Sequence, residues 1–490
     1  MKKLFIAFFA AFSLAAHAQQ NVLLDQGFWK NSPDVAAVKA EIEKGASPSQ
    51  FNNNMFDPTV LAINAGAPNE TVKFLIEQPG NAVSKLTHDG RIYMHWAASK
   101  GNVELMEYLI SKGSSANLID AHGATPINFA AGNAQQNLKV YDLCLAHGAN
   151  LKKDLNHDGA NALLIAIPND KDLVLTNYFV SKGLDIKSVD AAGNNAFSYA
   201  ARGGNIEILK TLLQKGVPAN PSAMLMAAQG SRRGPNSLEV YQYLESLKLN
   251  PNVIGKSGEN ALHYIARRAK QDDVITYFLS KGVDINKADE DGNTPFMNAA
   301  ASNSDTASIA LLLPKLKNIN QANAKGVTAL AMAVRSNSPA AVSYLLGKGA
   351  DVHTTDSNGD NLAFYLVQYY NAQRAADFDA KVKLLADKGF KVTEPEKNGN
   401  TLYHLAVAKN DLSLVKKLEG YQIDVNATNK EGITALHKAA MIAKDDVMLK
   451  YLISIGAKKD SKTNFDETAF DLAGENESLT KNNIAVNFLK

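Results

Sequence analysis

A nine-residue phrase returns about every thirty-three residues along this chain, and no other feature limits its possible folds so severely. Its cleanest copy is Gly432-Ile433-Thr434-Ala435-Leu436-His437-Lys438-Ala439-Ala440. The leading glycine recurs at Gly258, Gly292, Gly326 and Gly359, in steps of 34, 34 and 33. A fixed period of this size marks a solenoid, whose units are too small to fold alone and bury their apolar faces against their neighbours. A chain of 490 residues would otherwise suggest several globular domains. The period predicts one all-α repeat solenoid instead, and it moves the functional question from an active site to a binding surface.

Each unit reads as hairpin tip, helix, short turn, second helix and glycine stop. Two residues past the hairpin glycine stands a residue able to cap the first helix, since its side chain can accept from a backbone N–H that has no helical partner. That register holds Thr59, Thr125, Asn161, Asn195, Ser222, Asn260, Thr294, Thr328, Asn361, Thr401, Thr434 and Thr468, and only Ile92 breaks it. Pro126 and Pro295 follow two of the caps, at the first helical position where proline costs little. Small pairs such as Ala97-Ala98 and Ala439-Ala440 come a turn later and would let neighbouring helices approach closely. The second helix is more apolar and ends on a glycine suited to left-handed backbone, as at Gly113, Gly282 and Gly456.

These residues resemble those of ankyrin-repeat proteins, whose unit carries Asp-x-x-Gly-x-Thr-Pro-Leu-His-x-Ala-Ala and later Gly-Ala-Asp-Val-Asn. The match is strongest at Asp289 to Ala300, Asn429 to Ala440 and Gly349-Ala350-Asp351-Val352-His353. The resemblance implies a stack of helix pairs with short β-hairpin-like tips. It also implies that His95, His263, His404 and His437 are structural braces to turn backbone, and that partners meet a concave groove of tips and first-helix ends. Two units depart from the pattern. One near Asn220 has lost its hairpin glycine and carries Gly230-Ser231-Arg232-Arg233-Gly234-Pro235-Asn236; the other is stretched by Tyr369 to Asp377.

The first residues add an address. Lys2 and Lys3, the apolar run Leu4 to Ala15 and Ala16-His17-Ala18 form the pattern of a bacterial secretory signal, cut before Gln19. Its apolar run is too short to span a bilayer. Removing Lys2 and Lys3 takes the balance from 51 basic and 49 acidic residues to 49 of each. A neutral chain lacks the basic excess that general nucleic-acid affinity needs. The expected organisation is a signal over 1–18, an N-terminal capping unit over 19–56, an array over 57–464 with irregular units near 220–254 and 357–396, and a C-terminal capping repeat over 465–490. Periplasmic residence is expected, with release from the cell as the alternative. The sole cysteine, Cys144, excludes an intramolecular disulfide and belongs in the core.

No motif for catalysis, phosphate binding or metal ligation is present, so no catalytic residue, cofactor or metal is expected. A cryptic enzyme site around Tyr369, Tyr370 and Arg374 would need a nucleophile, base and orienting group together. The expected function is a non-enzymatic scaffold, monomeric and without a membrane span, that binds a protein partner. Candidate contact residues are Arg202, Arg232, Arg233, Arg267, Arg268, Arg335 and Tyr369 at helix ends and the insertion, with Lys256 and Lys325 on the tips. The arginines form a proposed basic stripe for an acidic partner surface, because a guanidinium can hold a carboxylate through two hydrogen bonds.

Overall fold

The computed structural model describes residues 21–231 and 234–490. The signal stretch, Arg232 and Arg233 lie outside the described residues. The described chain consists of short α-helices and single 3-10 turns, and its only β-bridges are isolated ones, Val189–Asn195, Ser231–Gly234 and Ala322–Thr328. It falls into two compact units, Met1–Ala223 and Met224–Lys490.

In the first unit the helix pairs include Tyr93–Lys100 with Val103–Ser111, Pro126–Gly132 with Leu138–Ala146, and Ala196–Gly203 with Ile206–Gln214. The second contains Pro295–Ser302 with Thr306–Ala310, Ala329–Ser336 with Pro339–Gly347, Leu362–Tyr369 with Ala375–Ala386, and Ala435–Ile442 with Val447–Ser454. Successive first helices pack on one another, and their alanine pairs allow it: Ala97, Ala98, Ala130, Ala131 and Ala440 are wholly buried. Large side chains from the second helices, such as Tyr141, Phe179, Phe278 and Phe378, complete the core. Cys144 is buried there as expected, and burial pushes its thiol up to about 12.

The caps follow the sequence register at eight positions. Asn161, Asn195, Asn260, Thr294, Thr328, Asn361, Thr434 and Thr468 each accept from a first-turn N–H. Thr59 does not cap; it lies inside the helix Pro58–Ala65, and Asp57 caps it by accepting from Val60. The hairpin position there is Met55, which takes a left-handed φ of 60° in glycine's place and so hides the register from a glycine search. Thr125 stands at its cap position but its hydroxyl makes no cap bond.

Two hydrogen-bond ladders tie repeats together. At the tips within each unit, an N–H of one hairpin donates to a carbonyl of the one before: Ala121 to Asp89 at 2.8 Å and Ala191 to Asp158 at 2.9 Å in the first unit, Glu290 to Ser257 at 2.7 Å and Ala324 to Asp291 at 3.0 Å in the second. Glycine is required where these tips touch; a Cβ on Gly292 (φ +79°) would meet the Ala324 nitrogen at 2.4 Å. At the other end of the first helices, an amide from the next repeat holds the free carbonyls. Asn303 donates to Ala266 and Arg268, Asn337 to Ala300 and Asn303, and Asn476 to Ala440 and Ala443. These carbonyls have no intrahelical donor and are buried, so leaving one unmet costs about 1–3 kcal/mol.

In the C-terminal capping repeat Ile484, Val486 and Phe488 lie in no α-helix. Glu477–Lys481 and a single 3-10 turn, Asn487–Leu489, close the stack with Leu479 and Leu489 buried. Ile484, Val486 and Phe488 alternate two residues apart, a spacing that does not gather them on one helical face.

Candidate functional site

The tips and first-helix ends hold the predicted contact residues in different states. Arg335 is exposed in the last turn of Ala329–Ser336, and Arg267 is exposed just past Ala261–Ile265. Lys256 and Lys325 are exposed on tips. Arg268 is half-buried, and its guanidinium donates to the Gln229 carbonyl at 2.5 Å, so it works as a cap within the fold. Arg202, in the first unit, is half-buried in the last turn of Ala196–Gly203, where its charge acts on Tyr199. Tyr199 in turn donates to Asp190 at 2.9 Å.

Tyr369 is engaged rather than free. Its hydroxyl donates to Asp377 at 2.8 Å, which also accepts two bonds from Arg374. The Lys381 ammonium lies 3.1 Å from the centre of the Tyr369 ring and donates to the Val334 carbonyl at 2.8 Å. Lys381 is wholly buried. Burial pulls its amine down to about 7, while the ring and carbonyl favour the charged form. These contacts account for the ionisable groups around Tyr369 and Arg374 as packing: the stretch displaces the amide that serves other repeats, and Lys381 reaches the same helix-end carbonyls from the second helix. Lys409, at the end of the first helix Leu402–Ala408, donates to the carbonyls of Val367 and Tyr370.

Acids sit among the bases of the second unit. Asp356 accepts from Tyr365 at 2.7 Å, and Arg335 acts on the same tyrosine. Asp360 is raised by burial and by Asp356. The stretch around Arg335 is therefore of mixed sign.

A feature of the first unit was missed by the sequence reading. The residue just before four of its tip turns is apolar and exposed: Leu86 (57%), Ile119 (61%), Leu155 (41%) and Val189 (55%). Its spacing of 33, 36 and 34 residues is visible in the register, but a lone apolar residue before a turn reads as interior. Within this unit the four side chains stand on consecutive tips joined by the tip ladder. The expected braces are present. The Nε2 atoms of His95, His263, His404 and His437 lie 2.8–3.1 Å from tip carbonyls. Among the described residues, no group of three or more metal-ligating side chains could hold an ion, and no helix is long and apolar enough to cross a membrane.

Stacked helix pairs, a tip ladder and braced first helices define a repeat protein whose exposed features are surfaces rather than a cleft. A family model for ankyrin repeats matches residues 59–154, 134–224, 224–321, 262–356 and 403–487, and the chain belongs to the ankyrin-repeat family. It is 24% identical over 428 residues to the human transient receptor potential cation channel subfamily A member 1, covering 86% of this chain and 32% of that protein. It is 26% identical to the phosphocholine transferase AnkX of Legionella pneumophila, over 52% of this chain and 22% of the enzyme. Among solved structures, the ankyrin repeat domain of Bcl-3 is similar at 22% identity with a TM-score of 0.34, over 44% of this chain and 95% of that one. The chain spans about a third or less of the length of those two curated relatives.

Proposed function

We propose that this chain is a non-enzymatic protein-binding scaffold, exported to the periplasm, that engages its partner through tips and first-helix ends. The ankyrin repeats themselves supply the general role of a protein–protein interaction scaffold. The observation that carries the reading further is the row Leu86, Ile119, Leu155 and Val189. Four apolar side chains exposed in one register favour a contact surface, since repeated apolar exposure is costly unless a partner covers it. Rigid tips joined by backbone bonds lower the ordering cost of binding. The exposed cations Arg267, Arg335, Lys256 and Lys325 would add charge contacts to acidic groups of the partner, as would Arg232 and Arg233. Periplasmic residence rests on the secretory pattern at 1–18, and release into the medium is the second reading.

The test is capture from periplasmic extract with the chain lacking residues 1–18, repeated with Leu86→Glu/Ile119→Glu/Leu155→Glu and with Arg267→Glu/Arg335→Glu. All replaced side chains are exposed, so both variants should keep wild-type circular dichroism. The first should lose the partner and the second should weaken it in a salt-dependent way. Equal recovery by all three proteins would remove the tips from the interaction. Appearance of the intact chain in cell-free medium would favour release.

A further inference from the structure

The turn at Glu396 differs from its relatives in a way that the repeat makes legible. In most tips the first turn residue is Asp or Asn, and one side-chain oxygen accepts from the N–H groups two and four residues on; Thr463 does the same through its hydroxyl, accepting from Phe465 at 3.2 Å and Glu467 at 3.4 Å. Asp289 takes Asp291 and Asn293 at 3.1 and 2.8 Å, Asp356 takes Asn358 and Asp360 at 2.9 and 3.1 Å, and Asn429 takes Glu431 and Ile433 at 3.0 Å each. Glu396 is one methylene too long for this pattern. Asn398 accepts from the Asn400 N–H instead, and both Glu396 carboxyl oxygens are buried without a hydrogen-bond partner. The tip ladder also slips here. Every other rung of the second unit reaches the residue before the hairpin's glycine position, but Lys397 reaches Gly359 itself, at a long 3.3 Å.

We infer that the tip Glu396–Asn400 is an acid-closed latch, docked on the preceding tip while Glu396 is protonated and released when Glu396 ionises. The surroundings offer an ionised carboxylate little relief. From the preceding repeat it faces Asp360 and Asp356, and Asp356 is itself bound to the Tyr365 hydroxyl, on which Arg335 acts. On its own tip, the Asn400 amide offsets only part of the charge, from outside hydrogen-bonding geometry. The Lys397 stem packs over Gly359. From the following tip, the Asn429 amide is already committed to Asn400, and Lys430 is exposed. Burial, then Asp360, push the carboxyl up to about 7 from an ordinary 4.5. A group raised in the closed state stabilises that state fully below its ordinary value, and the contribution is lost as pH rises toward the closed-state value. The working window is thus from about pH 4.5 to about 7. The inference stands apart from the proposed partner, since the latch is a property of the free chain.

Hydrogen exchange on the whole chain tests it, comparing the segment 395–402 with its homologue 428–435 and correcting for intrinsic exchange. Between pH 5 and 7 the wild-type ratio of protection should fall about tenfold per pH unit. Glu396→Gln, which cannot ionise, should hold a constant ratio. Glu396→Asp restores the turn acceptor and should also hold it. Parallel curves for wild type and both variants would overturn the latch. If Glu396→Gln does not fold, a flat wild-type ratio beside a flat Glu396→Asp ratio overturns it equally.

Discussion

Three braces among the first-helix histidines have their protonation fixed by what surrounds them. At His263, His404 and His437, Nδ1 lies 3.0 Å from the backbone N–H of the cap residue, so it must accept, and the proton sits on Nε2 facing a tip carbonyl. The ring is neutral in that arrangement. Burial lowers each of them, and lowers His95 to about 4. A depressed imidazole contributes stability that is present above its ordinary value near 6.5 and is lost as pH falls through the folded value. For His95 the loss reaches about 3 kcal/mol at most, since each pH unit of offset is worth about 1.4 kcal/mol. Urea unfolding at pH 7.5 and pH 4.5 should show this slope, and His95→Gln should reduce it. A second residue-scale prediction concerns Asp57, which is wholly buried and bound to Lys85 at 2.7 Å, to Tyr93 at 2.6 Å and to the Val60 N–H. Asp57→Ala leaves the Lys85 ammonium, only 12% exposed, without its counter-charge. It should cost about 3–5 kcal/mol in the unfolding of the first unit, with part of that recovered in Asp57→Ala/Lys85→Met.

At the scale of elements, the helix-end donors decide whether one repeat can hold the next. Asn337→Ala removes both bonds to the carbonyls of Ala300 and Asn303 and should destabilise the second unit by about 1–3 kcal/mol, measured by thermal or urea melts. Lys381→Met should cost a similar amount, because it frees the Val334 carbonyl while keeping the buried stem. The caps were readable in sequence because capping is local: a Thr or Asn three residues before the N–H it serves can be found by register alone. The donors were not. Asn337 reaches back 37 residues and Lys381 reaches back 47, so their partners are set by how repeats stack. Lys381 was harder still, as the stretch from Tyr369 moved the donor to a different helix. The same logic explains Thr59, since the tip with Met55 in left-handed backbone offers no glycine to count from.

The fold of the whole molecule was legible because it is one local pattern repeated, whereas the contact surface was legible only in part. Charge at Arg267 and Arg335 showed in the sequence, but that Arg268 spends its guanidinium on Gln229 did not. The apolar row on the tips needed burial to separate it from core, for an isolated Leu or Val reads as interior. The amide ladder has one more consequence, which concerns how such a chain can change its length. Asn303 and Asn337 occupy equivalent places, each holding carbonyls of the repeat before it. Excising residues 304–337 therefore leaves Asn303 with its own acceptors and joins it to Ser338 in phase. That deletion should still give a cooperative unfolding transition, while removal of 304–333, four residues fewer, should not. The interval between equivalent donors is thus a recombination quantum: crossovers that join equivalent positions keep every donor with its acceptors, and those that join inequivalent ones do not.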